Sequence, residues 1–285
     1  MSDRGQLREA TQRGRCILAP LALDALAART CEELGFEAVY VSGGALGFQY
    51  GVSEALLTLT EVADTTRRVV QRCSIPVIVD AGVGFGDAVH MSRTIRELES
   101  AGAAAIEIED QVAPKRVSHH RGVEHLVPAE EMVAKIEIAA QARSDPDLVL
   151  IARTGAIRNE SIEAAVGRSS RYVDAGADMI LLLPTSVEEW QRLPELVDAP
   201  LVTFALLDQR SPNEWAELGW SLILDPITAQ VLAHTAVRDA YRHLREHGAS
   251  GADGAAVWAE YRDLARAAGL EPLYDIERMT TEPGT

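Results

Sequence analysis

Cysteine is scarce in this chain and forms no pattern: Cys16, Cys31 and Cys73 give neither an even count nor a CxxC pair. Nothing supports a disulfide framework or a thiolate zinc site, and a reducing cytoplasm is the expected location. No apolar run approaches the about 18 to 20 residues that span a bilayer, and the opening Met-Ser-Asp-Arg-Gly-Gln lacks the apolar core of a signal peptide. A membrane is therefore not an expected partner. Positive charge is also in short supply, with 27 Lys and Arg against 43 Asp and Glu, a net charge of −16 and a pI near 4.9. That balance repels phosphate backbones, so nucleic acid is not expected as a partner either. Aromatic residues make up 5% of the chain and hydrophobic residues 47%, which suits helices on a parallel sheet better than an aromatic-rich β-sandwich.

What is present is an alternation. Short runs rich in Val, Ile and Leu predict strands at 16–19, 38–42, 77–80, 104–108, 148–152, 179–183, 201–204 and 222–224. Amphipathic stretches between them predict helices at 22–34, 59–72, 88–100, 129–142, 162–175 and 230–246. The strands are largely apolar, as strands covered on both faces need to be, and eight of them can close a barrel. The predicted fold is α/β, a (β/α)8 TIM barrel forming a catalytic domain over residues 1–248. An open doubly wound sheet would want a glycine-rich phosphate turn after the first strand, where this chain has Pro20-Leu21-Ala22-Leu23-Asp24. A further helix at 255–268 and a polar tail make a C-terminal helical extension, 249–285, whose expected packing surface is a neighbouring subunit.

In such a barrel the C-terminal ends of the strands face the active site, which selects Ser42, Asp80, Glu109, Arg153 and Phe204. Asp80 and Glu109 are hard oxygen donors on neighbouring strands, and Glu54 lies in the long loop after the second strand. These three carboxylates are candidate ligands of one Mg²⁺, or Mn²⁺; a helix cap or turn is the plainer use of an Asp at a strand end. Asp110 reads as a supporting or capping group. Ser42, Gly43 and Gly44 offer a hydroxyl and closely approachable amides to a substrate carboxylate, or form an ordinary turn. Arg153 is costly to bury unpaired, so it either pairs with a carboxylate such as Glu109 or clamps one on a substrate.

The segment 111–125 carries Lys115, Arg116, His119, His120, Arg121 and His125, and a connection of that length is expected to act as a lid. Lys115 is one of only two lysines in the chain, which suggests a use for its compact ammonium beyond generic surface charge. His119 and His120 are adjacent and lack zinc-ligand spacing.

Taken in order, Tyr40-Val-Ser-Gly-Gly, Asp80-Ala-Gly-Val-Gly-Phe-Gly, Ile108-Glu-Asp-Gln-Val-Ala-Pro-Lys-Arg and Ile151-Ala-Arg-Thr resemble the isocitrate lyase and phosphoenolpyruvate mutase superfamily over about residues 12–248. The resemblance implies a Mg²⁺-dependent barrel for small 2-oxo or 2-hydroxy carboxylates, with a gating loop and a homotetramer that exchanges C-terminal helices. It matches the family's metal-site acids to Asp80, Glu109 and Glu54, the last one methylene longer than the usual Asp. Its substrate-binding turn falls on Ser42 and Gly43, its gating-loop lysine on Lys115 and its carboxylate-binding arginine on Arg153.

The departures narrow the expectation. Gly82 stands where the family has a second Asp, Val117 where the lyases carry their acid cysteine, and Leu183 where they tend to have Glu and the mutase His. Phe204 stands near a position that is polar in some relatives. What is retained binds a 2-oxo acid and stabilises an enolate of pyruvate type. The reading is a carbon–carbon lyase acting on a malate-, methylisocitrate- or oxaloacetate-like acid, with Lys115, Glu109, Arg153 and His119 as catalytic candidates. Phosphonopyruvate-type C–P chemistry is the alternative, against which the apolar Val117 and Leu183 argue. An inactive barrel that only binds a dicarboxylate is the third.

Overall fold

The computed structural model describes residues 3–12, 14–206 and 209–282. A short helix, α1 (Asp3–Ala10), leads into β1 (Ile17–Ala19), α2 (Ala25–Glu33), β2 (Val39–Val41), α3 (Gly43–Gln49) and α4 (Leu59–Val70). The chain continues with β3 (Val77–Asp80), α5 (Ala88–Ser100), β4 (Ala105–Glu109), α6 (Ala129–Ala142), β5 (Val149–Thr154), α7 (Ala156–Asn159) and α8 (Ile162–Asp174). Then come β6 (Met179–Leu182), α9 (Val187–Leu196), β7 (Leu201–Phe204), α10 (Pro212–Glu217) and β8 (Trp220–Leu224), followed by α11 (Thr228–His247), α12 (Gly254–Ala267) and α13 (Glu271–Thr280).

The strands are parallel in the order β1-β8-β7-β6-β5-β4-β3-β2. Just past β1 the circle closes on β2: Tyr40 N–H donates to Pro20 O and Ala22 N–H to Tyr40 O, each at 2.9 Å. The result is the (β/α)8 barrel that the alternation predicts. Successive strand residues point to opposite faces, which splits the apolar side chains into two cores. Ile17, Tyr40, Ile78, Ile151, Leu181 and Leu222 fill the barrel. Val39, Val79, Leu150 and Ile180 pack outward against helix residues such as Ile95, Ile136 and Tyr172.

Three details bear on what surrounds the mouth. The helix expected at 22–34 begins at Ala25, because the Asp24 carboxylate accepts the Ala27 N–H at 2.8 Å and caps it. The helices α1, α3, α7, α9, α10 and α13 go beyond the predicted set, α13 standing where a polar tail is expected; α3 opens Gly-Gly and α9 holds Pro194, both poor helix signals. α1 lies across the N-terminal end of the barrel, with Leu7 buried in the inner core. Its Arg4 donates to Ala103 O and Asp145, at 2.9 Å each, and Arg8 to Asp178 at 3.0 Å. No helix among the described residues is long and apolar enough to cross a membrane.

The C-terminal helices reach back to the barrel through α12, where Arg29 donates to Ala267 O and Arg266 pairs with Glu33 at 3.2 Å. Along the chain from α11 to α13, Leu232, Tyr241, Trp258, Tyr261, Ile276 and Met279 are exposed.

Candidate active site

Parallel strands in register deliver their last residues to one rim. Asp80 pairs across the sheet with Glu107, and Glu109 with Arg153. Glu107 and Glu109 are two apart on β4, so both point into the barrel, one above the other. Both are buried, with Asp80. The sequence reading missed Glu107; its signal was the Glu-x-Glu alternation inside an otherwise apolar strand.

Glu54 arrives from outside the sheet. Residues Glu54–Leu56 form a single 3-10 turn that folds back against α3. Ser42 caps α3, its Oγ accepting the Ala45 N–H at 3.4 Å, and the Gly43 N–H donates to Asp80 Oδ2 at 3.0 Å. A Cβ on Gly43 would come within 3.0 Å of both Asp80 Oδ2 and Glu54 Oε1, so a glycine is needed for the two carboxylates to sit this close. The expected Ser42, Gly43 and Gly44 turn thus serves as the mount of the acidic cluster, and a Cβ on Gly44 would lie 3.7 Å from Glu54 Oε2.

Lys115 enters from the segment after β4, and its Nζ contacts both Glu54 and Glu109. In the same segment a 3-10 turn, Val117–Arg121, docks on the neighbouring loop. His119 Nε2 lies 3.2 Å from Glu54 Oε2 and its Nδ1 2.7 Å from Arg116 O. His120 Nε2 lies 3.0 Å from Ser53 Oγ, with its ring 5.1 Å from that of Phe48. The histidines therefore divide: His119 faces the carboxylates and His120 faces α3. Val117 is 57% exposed.

Arg153 completes the cluster. Its guanidinium lies 3.2 Å from Glu107, 3.4 Å from Glu109 and 3.3 Å from Glu124, and 5.0 Å from the centre of the Phe204 ring. Glu124, which the sequence did not single out, also accepts from Gln111 and Asn159 at 3.2 Å each. Gln111 in turn donates to Glu109 Oε2 at 2.9 Å. Tyr40 donates its hydroxyl to Glu107 at 2.7 Å. Asp110 points away from this set, accepting from Tyr172 OH at 2.8 Å, and from Arg168 and the Gly155 N–H at 3.3 Å each, in keeping with the supporting role expected of it. Leu183 stays in the inner apolar core.

The electrostatics follow from burial and from too few cations. Burial pushes the Glu107 carboxyl up to about 8, with Asp80 adding to the rise. Asp80 is raised to about 6 by burial and then by Glu54. Burial would raise Glu54 too, but Lys115 and the bond to His119 hold it at about 2. Glu54, Asp80, Glu107, Glu109 and Glu124 face two permanent cations, Lys115 and Arg153, with His119 beside Glu54, so acids outnumber bases in the cluster. Lys115 Nζ is the group against the buried Glu109 Oε1, and no other hydrogen bond reaches that oxygen among the described residues. As the chain stands Lys115 lies among the acids, and no three acidic, imidazole or thiol groups among the described residues are gathered as ligands of one ion. The donors nonetheless suit Mg²⁺ or Mn²⁺ in kind, being hard carboxylate oxygens with a charge deficit to fill.

Comparisons with known proteins identify the family. Residues 7–259 match the family described as phosphoenolpyruvate phosphomutase. The chain is 35% identical to a 2,3-dimethylmalate lyase of Eubacterium barkeri, covering 97% of this chain and 98% of that one. It is 38% identical to a 2-methylisocitrate lyase of Aeropyrum pernix, covering 85% and 80%. Among solved structures, a phosphonopyruvate hydrolase in complex with oxalate and Mg²⁺ superposes with a TM-score of 0.85 at 29% identity, covering 99% of this chain and all of that one. The chain belongs to the phosphoenolpyruvate phosphomutase family, within the isocitrate lyase superfamily that its motifs resemble.

Proposed function

We propose that the chain is a Mg²⁺-dependent carbon–carbon lyase acting on a small 2-oxo or 2-hydroxy di- or tricarboxylate. The observation that carries the reading is the convergence of Glu54, Asp80 and Glu109 with Lys115 and Arg153 in one buried cluster at the C-terminal rim of the barrel. Glu54, Asp80 and Glu109 would hold the ion, whose contribution when bound is to polarise the 2-oxo or 2-hydroxy acid as a Lewis acid. Arg153, held over Phe204 by three carboxylates, is the group that orients a substrate carboxylate at the barrel mouth. Lys115 covers the cluster from the lid and excludes water from it. Val117 has no proton to give, and His119, which reaches Glu54 from the same 3-10 turn, is a residue of that segment able to move one.

Two relatives named for lyases of 2,3-dimethylmalate and 2-methylisocitrate support carbon–carbon cleavage over C–P chemistry. The three free thiols suit a cytoplasmic enzyme. The exposed apolar side chains of the C-terminal helices suit assembly with further copies, as a tetramer with helix exchange, which light scattering would measure.

The direct test is incubation with Mg²⁺ and each of oxaloacetate, 2,3-dimethylmalate, 2-methylisocitrate and phosphonopyruvate, with coupled detection of pyruvate. Pyruvate from one of the first three is the expected result. Turnover of phosphonopyruvate alone would overturn the lyase reading.

A further inference from the structure

Only two of the 27 Lys and Arg residues are lysines, and both are buried. Lys115 is accounted for by the carboxylates it touches. Lys135 lies on α6 with no exposed surface, and its one hydrogen bond among the described residues goes to a neutral acceptor, Val83 O, at 3.1 Å. Burial lowers the pKa of its ammonium, against the pull of Glu131, Asp87, Glu109 and Asp110. An ammonium so placed exchanges its water for a single carbonyl, which destabilises the fold. A methionine of similar length would fill the same space without that penalty.

What this lysine holds is the loop after β3. Three successive carbonyls of the loop each meet a different element: Gly82 O accepts the Glu109 N–H of β4 at 2.9 Å, Val83 O accepts from Lys135 of α6, and Gly84 O accepts from the Thr94 hydroxyl of α5 at 3.0 Å. The backbone between them is not relaxed. Gly82, Gly84 and Phe85 all have positive φ, and Phe85, at 59°, is the one non-glycine residue among those described to do so. For a bulky side chain that conformation is strained, and such strain persists only where the surroundings impose it. The same loop aims Asp80, because the Gly82 N–H donates to Asp80 Oδ1 at 2.8 Å while the Gly43 N–H holds Oδ2 at 3.0 Å. Freeing Val83 O would let the loop relax, and the Gly82 amide would move with it.

We propose that Lys135 is a positioning residue for the active site: by holding Val83 O it fixes the Gly82 amide and, through it, the direction in which the Asp80 carboxylate points. Thr94 is the second arm of the same clamp. The effect on a bound ion rests on the reading of Asp80 as a metal ligand, and the effect on the backbone rests on the loop alone.

Lys135→Met and Thr94→Val, each compared with the parent, test the clamp. In metal-free protein the Gly82 and Gly84 amides should exchange with solvent about 10-fold faster in either variant, as expected when one hydrogen bond of the loop is lost. Mn²⁺ affinity by titration calorimetry should fall about 10-fold, the low end of the effect of a group that orients a metal ligand. The urea midpoint of Lys135→Met should be no lower than that of the parent, since a buried charge leaves with the side chain. Weaker Mn²⁺ binding in a variant as stable as the parent is a result that a residue serving only the fold would not give. Unchanged exchange at Gly82, or a Mn²⁺ affinity equal to that of a parent that binds the ion, would overturn the proposal, whatever the stability of the variants. Faster exchange in the variants of a parent that binds no Mn²⁺ supports the clamp and overturns the metal reading instead.

Discussion

A Cβ on Gly47 would lie 2.5 Å from the backbone nitrogen of Glu54, so α3 and the turn that carries this carboxylate meet backbone to backbone. Neither side of that contact is a flexible side chain able to swing away. The position of Glu54 is therefore written at residue 47, seven residues upstream.

Gly47→Ala should displace the Glu54–Leu56 turn as a unit. The expected cost in stability is about 1 to 3 kcal/mol, the range for overpacking a close contact. The expected loss in kcat/KM is about 100-fold, because a misplaced ligand of about 1 Å is enough for that. Urea denaturation and pyruvate release read the two effects separately; an unaltered rate would show that Glu54 is not needed where it stands.

Lys115 sits among the carboxylates proposed to hold the ion. Replacing it with Met removes a competing positive charge from Glu54 and Glu109, so Lys115→Met should bind Mn²⁺ about 10-fold more tightly, the effect of about 1.4 kcal/mol. Turnover should fall by about 100-fold or more, since the lid loses the group that covers the cluster. Titration calorimetry decides the first point, and weaker binding in the variant would contradict it.

Asp110 holds a different part of the molecule together. Its carboxylate accepts from Arg168, Tyr172 and the Gly155 N–H behind the barrel wall. Asp110→Ala leaves a largely buried arginine short of a partner and should cost about 3 kcal/mol of stability. A shift in the urea midpoint of that size is the check, and a variant as stable as the parent would refute it.

The three thiols should be silent in the native protein. Burial pushes Cys16 up to about 12, and Cys31 and Cys73 up to about 11. The thiolate is the reactive form, so at pH 8 only about one Cys31 or Cys73 in a thousand is ionised, and reactivity should climb as pH rises toward 11. A disulfide reagent at pH 8 should titrate none of them quickly, and all three once denaturant is added.

Much of this was legible in the sequence because parallel strands covered on both faces must be apolar along their whole length. Asp80, Glu109 and Arg153 stood out as charges at the ends of such runs, and the structure brings them to one rim. Glu107 did not, since it lies inside the run, and only the alternation on β4 marks it as facing the same way as Glu109. Glu124 was hidden for another reason: its partner Arg153 is 29 residues away and belongs to a different element. The helix α3 was unreadable because its glycines serve close approach to Glu54 and Asp80 at the expense of helix propensity.

The helix laid across the N-terminal end has a consequence for traffic. With Leu7 seated as a cork and Arg4 and Arg8 bolted to the strand approaches, the barrel is a blind well. Whatever enters past the lid must leave the same way, and the two fragments of a cleaved substrate share a single exit.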